Sequence, residues 1–276
     1  MKRNKFAKKI IIYFLVFSFI FSINILVLKH KEREEIILAE NIHKETLKEN
    51  LYTNYNSLQS KIKKLKKERN DPNIFLVNKD NLLKKDYTAS DIIDSNLPFF
   101  NYATNKKLNK TVSESAKEMF KDAKKCGINL MAVSGYRSNK TQTDIFNNNI
   151  RVKGEEATLK YSAPPGSSEH ETGFAIDILS KNYSRLDSGF ENTNEFKWLK
   201  ENCYKYGFII RYPKDKTKIT KYSYEPWHYR YVGASHATKI MKENLCLEEY
   251  LENLDNEINL LEISLAKNIF EIKSIK

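Results

Sequence analysis

The chain has 276 residues, enough for one good-sized domain with accessory segments and too many for a bare membrane peptide. Lys and Arg outnumber Asp and Glu by 47 to 35, a balance that suits an anionic partner such as phospholipid headgroups or a cell-wall polymer. The charges are scattered, and no basic run is interleaved with aromatics as a base-stacking platform requires, so no nucleic-acid partner is expected.

The N-terminus comes first in chain order. Lys2, Arg3, Lys5, Lys8 and Lys9 precede an uncharged apolar run from Ile10 to Leu28, about the length of a bilayer-spanning helix. The run is long for the apolar region of a signal peptide, and no small-x-small cleavage site follows before "KHKEREE", so an uncleaved anchor over residues 1–29 is expected. The basic flank then stays in the cytoplasm and everything after the anchor lies outside it.

Residues 30–71 read as a polar helix in which Leu51, Tyr55, Leu58, Ile62 and Leu65 recur at alternating steps of four and three. The C-terminal stretch, 246–276, repeats the pattern with Leu247, Leu251, Leu254, Ile258, Leu261 and Leu265, the seam of a coiled coil. Two narrow seams need partners. Either the terminal helices pack together as a stalk, antiparallel or through self-association, or each lies on the surface of the domain between them.

That middle domain, residues 72–245, holds every Gly and Pro of the chain. A capping box at Thr111 and Glu114 opens a helix with Ala116, Met119, Phe120 and Ala123 as its apolar stripe, ending at Gly127. Strand "INLMAV", the turn "SGYRS", a helix near Asp144 to Ile150 and a loop with Pro164, Pro165 and Gly166 follow. Strand "GFAIDIL", helix "EFKWLKENCYKY", strands "FIIRY" and "PWHYRYVG" and a helix from Ser235 complete the domain. Short returns between strands predict an α+β fold with a small, largely antiparallel sheet flanked by helices. Three cysteines without CxxC spacing indicate neither a disulfide framework nor a zinc-thiolate knuckle. Cys126 and Cys203 read as small buried hydrophobes, and Cys246 is the candidate for a bridge between chains.

The chemistry concentrates in two places. In "SSEHETGFAIDIL", His170 precedes a strand whose inward face carries Asp177, a carboxylate that is costly to bury without a cation or hydrogen-bond donors. In "YEPWHYRYVG", strand alternation sets His228 and Arg230 on one face and Trp227 and Tyr229 on the other. Two imidazoles and a carboxylate form a three-ligand set that leaves a tetrahedral Zn²⁺ one position for water. Glu225, three residues before His228, is placed to take a proton from that water. His30, His43 and His236 sit in helical surroundings and carry no such expectation.

"SGYRS" with Gln142 downstream, "PGSSEHETGFAIDI", "WLKENCYKYGFIIRYP" and "YEPWHYRYVG" together resemble the D-alanyl-D-alanine carboxypeptidases of vancomycin-resistance type, zinc peptidases that trim peptidoglycan stems. The likeness runs from about Ser134 to Gly233, with no departure at any metal or base position. It implies one Zn²⁺ per chain on His170, Asp177 and His228, with Glu225 as catalytic base. Arg137 matches the arginine that meets the substrate's negative charge, and Gln142, Ser168 and Trp227 match positions lining the substrate cleft. Tyr136 and Phe174 read as core.

The implied activity is hydrolysis of the terminal D-Ala-D-Ala bond of stem or precursor peptides by an extracytoplasmic, membrane-anchored enzyme. An L,D-carboxypeptidase of the same fold, acting on tetrapeptide stems, is the alternative. A zinc-bearing module that binds wall peptide without cutting it would be expected to lack the base, and Glu225 is present.

Overall fold

The computed structural model describes residues 2–275; Met1 and Lys276 fall outside it, as do the side chains of residues 2–5 and 7, which include Lys2, Arg3 and Lys5 of the basic flank. α1 (Lys2–Arg69) is one unbroken helix, consistent with the lack of Gly and Pro before Pro72. It contains a stretch long and apolar enough to cross a membrane, none of it buried, with Phe14 76% exposed.

β1 (Ile92–Asp94) and β2 (Lys107–Asn109) form an antiparallel pair. α2 (Lys110–Lys125) buries Val112, Ala116, Met119, Phe120 and Ala123 as its stripe predicts, and Gly127 just beyond it takes a left-handed φ of +78°. The predicted capping box is not formed. Asn109 caps this helix: its side-chain oxygen accepts from the Thr111 N–H at 3.0 Å, so Thr111 lies within the first turn.

β3 (Leu130–Ser134) leads into α3 (Asn139–Lys153), capped by Ser138 and longer than its apolar pattern indicates. Gly154 separates it from α4 (Glu155–Tyr161), a short helix where only a loop is expected from sequence. A 3₁₀ turn, Glu169–Thr172, then feeds β4 (Ala175–Ser180). α5 (Asn194–Asn202), β5 (Phe208–Tyr212), α6 (Thr217–Thr220), β6 (Glu225–Tyr231), α7 (Ala234–Lys242) and α8 (Leu247–Ser274) follow.

The main sheet has the order β3-β4-β6-β5, every neighbouring pair antiparallel, as the α+β expectation requires. One face packs on α2 and α5 through Ile176, Ile178, Phe208, Ile210, Trp227 and Tyr229. Burying each such side chain stabilises the fold by roughly 1.5–3 kcal/mol. A second core gathers Ile74, Ile209, Val232, Ala237 and Ile240 with Leu247, Leu251 and Leu254 of α8.

The chain divides into two compact units, residues 1–64 with 259–276, and residues 65–258. The boundary therefore falls inside α8. In the first unit, Leu58 and Ile62 of α1 and Asn268 of α8 are buried. In the second, Leu247, Leu251 and Leu254 complete the core rather than a stalk seam.

Two cysteine expectations are corrected. Cys126 is exposed, because the C-cap of α2 turns it away from the stripe. Cys246 is 1% exposed just before α8, so it cannot reach another chain without local opening there. Cys203 is buried as expected. Tyr136 is only half-buried and lies outside both cores, whereas Phe174 packs against the first.

Candidate active site

Strand register builds the site. In the β4–β6 pair Asp177 stands opposite His228, and Ala175, which has no bulk, stands opposite Arg230. The 3₁₀ turn before β4 brings His170 alongside, and it ends at Gly173, whose φ is +78°. A Cβ there would lie 2.5 Å from Ile92 Cδ1 and 3.1 Å from the Asn109 nitrogen, so the turn can close only on glycine. Gly135 permits a similar close approach: a Cβ would fall 2.3 Å from the Lys107 carbonyl oxygen. The Gly135 carbonyl is thereby free to meet His170 Nδ1 at 2.8 Å.

With Nδ1 so occupied, His170 presents Nε2 inward, 3.3 Å from Asp177 Oδ2. His228 is turned the other way. Its Nε2 lies 3.3 Å from Glu169 Oε2 and its Nδ1 lies 3.1 Å from Asp177 Oδ1. The three candidate ligand atoms lie within 4.8 Å of one another, and all three residues are buried. Ligands about 2.0–2.1 Å from a tetrahedral Zn²⁺ are about 3.3 Å apart, so each imidazole already lies at that distance from an Asp177 oxygen, though from a different one of the two. The donor set, two imidazoles and a carboxylate, also suits zinc.

Electrostatics divide the trio: His170 and Asp177 are already in the forms that ligate a metal, whereas His228 must lose a proton as a cation binds. Burial and the nearby Arg137 guanidinium push His170 down to about 4, leaving it neutral and able to donate a lone pair. Burial works against the charge on Asp177, but the flanking imidazoles hold its carboxyl well below the usual range. Burial also opposes charge on His228, yet hydrogen bonds to Asp177 and Glu169 raise it to about 9. Glu225, 5% exposed, moves the other way: burial raises it to about 8, with Asp177 adding to the rise and His228 opposing it. A carboxyl tuned toward neutral pH is what a proton acceptor needs.

A cavity of about 540 Å³ opens over this group, lined by Arg137, Asp177, Glu225 and Trp227 together with Asn149 and Lys153. Arg137 is fixed on three sides, donating from Nε to Ser134 Oγ at 3.1 Å, from Nη1 to Gln142 Oε1 at 3.0 Å and from Nη2 to Asp177 Oδ2 at 3.3 Å. Gln142 is buried behind Arg137, its Nε2 donating to the Ala163 carbonyl at 2.7 Å, so it orients the arginine rather than forming the wall. Ser168 is 3% exposed at the head of the 3₁₀ turn. Trp227 belongs to both the first core and the cavity wall.

One residue escapes sequence reasoning. Glu169, fully buried between Ser168 and His170, meets Arg211, Arg230 and His228. Burial alone would raise its carboxyl, but Arg211 and Arg230 hold it well below 4.5. The available signal was Arg230, which strand alternation sets on the His228 face and which therefore needs a buried counter-charge. Of the other histidines, His236 is buried and meets the Tyr250 hydroxyl through Nδ1 at 2.8 Å, while His30 and His43 are exposed.

The sheet sets a buried His–Asp–His donor trio next to a carboxyl and an arginine that line one cavity, the arrangement of a metal-dependent hydrolase. The family model for VanY, D-alanyl-D-alanine carboxypeptidase, matches residues 105–234. YodJ of Bacillus subtilis (strain 168) is 46% identical over 198 residues, 70% of this chain and 72% of that one. The solved LdcB LD-carboxypeptidase is 47% identical with a TM-score of 0.60, covering 64% of this chain and 84% of that one. The vancomycin-resistance D,D-pentapeptidase VanY, solved with Zn(II), is 36% identical with a TM-score of 0.53, covering 65% and 98%. The chain belongs to the VanY family of carboxypeptidases.

Proposed function

We propose that the protein is a membrane-anchored zinc carboxypeptidase that hydrolyses the terminal D-Ala-D-Ala bond of peptidoglycan stem or precursor peptides. The observation that carries this reading is the buried trio of His170, Asp177 and His228, whose Asp177 lines one cavity together with Glu225 and Arg137. His170 Nε2, an Asp177 oxygen and His228 Nδ1 would hold one Zn²⁺ per chain. When bound, the metal supplies Lewis acidity, polarising a carbonyl and making water acidic near neutral pH.

Glu225 accepts the proton released as water attacks and returns it to the departing amine of D-alanine. Arg137, aimed by Ser134 and Gln142, meets negative charge on the substrate, either the terminal carboxylate or the developing oxyanion. Trp227 forms part of the wall against which the peptide lies. The apolar part of α1 serves as the anchor, and its basic flank keeps that end cytoplasmic, which puts the catalytic residues on the side of the wall.

A second reading, L,D-carboxypeptidase action on tetrapeptide stems, is favoured by one finding: identity to the LD-carboxypeptidase LdcB is 47%, against 36% to the D,D-pentapeptidase. Synthetic penta- and tetrapeptide stems digested side by side separate the two. The D,D reading predicts D-alanine release from the pentapeptide; release from the tetrapeptide alone would replace it with the L,D reading.

A further inference from the structure

Glu169 divides its two oxygens between different tasks. Oε1 takes both arginines, Arg211 Nε at 2.7 Å and Arg230 Nη1 at 2.9 Å. Oε2 is left for His228 Nε2 at 3.3 Å. A simple buried ion pair would be expected to use both carboxylate oxygens on one guanidinium fork. Here the Arg211 fork goes elsewhere, to Glu248 of α8, with Nη1 2.8 Å from Oε2 and Nη2 2.6 Å from Oε1. Arg230 Nη2 in turn donates to the carbonyls of Asn73 at 3.1 Å and Phe75 at 3.0 Å, and its guanidinium lies 5.0 Å from the Phe75 ring centroid. Glu248, Asn73 and Phe75 all lie outside residues 105–234 matched by the family model.

We infer that Glu169 is a positioning residue for His228, fixing the ring so that Nδ1 faces His170 and Asp177, and that Arg211 and Arg230 tie its placement to α8 and to the segment following α1. The inference rests on the metal-ligand reading of His170, Asp177 and His228. Glu169 accepts the Nε2–H, so that once the Nδ1 proton is lost the lone pair lies on Nδ1. Tyr212 closes the other side, stacked on the imidazole with centroids 4.9 Å apart. The ring is therefore set by a carboxylate that has no freedom of its own. Because Arg211 spans Glu169 and Glu248, a change at the start of α8 reaches the site through two hydrogen-bonded ion pairs.

The test uses the full chain in detergent with zinc alone as the probe. Histidine ¹⁵N NMR on the unaltered zinc-loaded protein comes first, since it does not depend on any variant folding. It should show His228 protonated at Nε2 and metallated at Nδ1; the opposite tautomer would overturn the inference while leaving the ligand set intact. Failure of the unaltered protein to bind zinc would overturn the ligand reading itself. Chelator competition should then show Glu169→Gln binding zinc about 10- to 100-fold more weakly. Glu248→Gln should weaken it by a smaller factor, with an altered Co²⁺ ligand-field spectrum, and Glu252→Gln on the exposed face of α8 should change neither. Unchanged zinc affinity and Co²⁺ spectrum in Glu248→Gln would sever the link to α8, and unchanged affinity in a folded Glu169→Gln would remove the positioning role.

Discussion

At the residue scale the decisive group is Glu225, whose burial raises its carboxyl from 4.5 to about 8. Replacing it with Ala should leave zinc content at the unaltered level and lower turnover by about 10²–10⁴-fold, the usual range for a lost general acid–base group. Metal analysis and D-alanine release on the same sample check this. The proton acceptor must be ionised, so kcat/KM should fall as pH decreases through the Glu225 pKa. A bound divalent cation lowers that pKa from its metal-free position, so the acid limb should lie between 4.5 and about 8. A pH–rate profile reads it, and a limb below the ordinary carboxylate range would speak against Glu225 as the base.

His170, Asp177, His228 and Glu225 are legible in the sequence because strand alternation and two compact polar clusters already set them toward one cleft. Glu169 is not, although it is adjacent to His170. Its partners Arg211 and Arg230 arrive from β5 and β6, and only the register brings them together. Gln142 is legible as a site residue but not in its task, since only the fold puts it behind Arg137.

At the element scale, strong periodicity is what sequence reveals. α2 follows its stripe, and the four-stranded sheet follows the alternation of β4 and β6. Met119 is fully buried in that stripe, so Met119→Ala should destabilise the second compact unit by about 2–5 kcal/mol. Cys126→Ala, at the exposed end of the same helix, should stay within about 0.5 kcal/mol. Denaturant unfolding compares them. α4 is illegible because a short helix after Gly154 has too few turns to display a period. The start of α2 is misread for a related reason: Asn109, already in β2, competes with Thr111 for the cap, and the local motif cannot rank them.

At the scale of the whole molecule, the coiled-coil pattern of α8 identifies a buried seam without saying what covers it. Leu247, Leu251 and Leu254 are covered by Ile74, Ile209, Val232 and Ala237, while Asn259 onward belongs to the compact unit of α1. A heptad records spacing alone, and a globular core satisfies it as well as a partner helix does. The long apolar stretch in α1 carries a separate prediction. Removing residues 1–29 should shift the protein from the membrane fraction to the soluble one while kcat/KM on a soluble stem peptide changes less than about twofold, because no site residue lies in that span. Fractionation and peptide assay together check it.

The central claim is that His170, Asp177 and His228 share one zinc ion. Anomalous scattering at the zinc edge from crystals grown with Zn²⁺ tests it most directly. The account predicts a single strong peak per chain, bounded by His170 Nε2, the Asp177 carboxylate and His228 Nδ1. A peak elsewhere, or none between these three side chains, would contradict it.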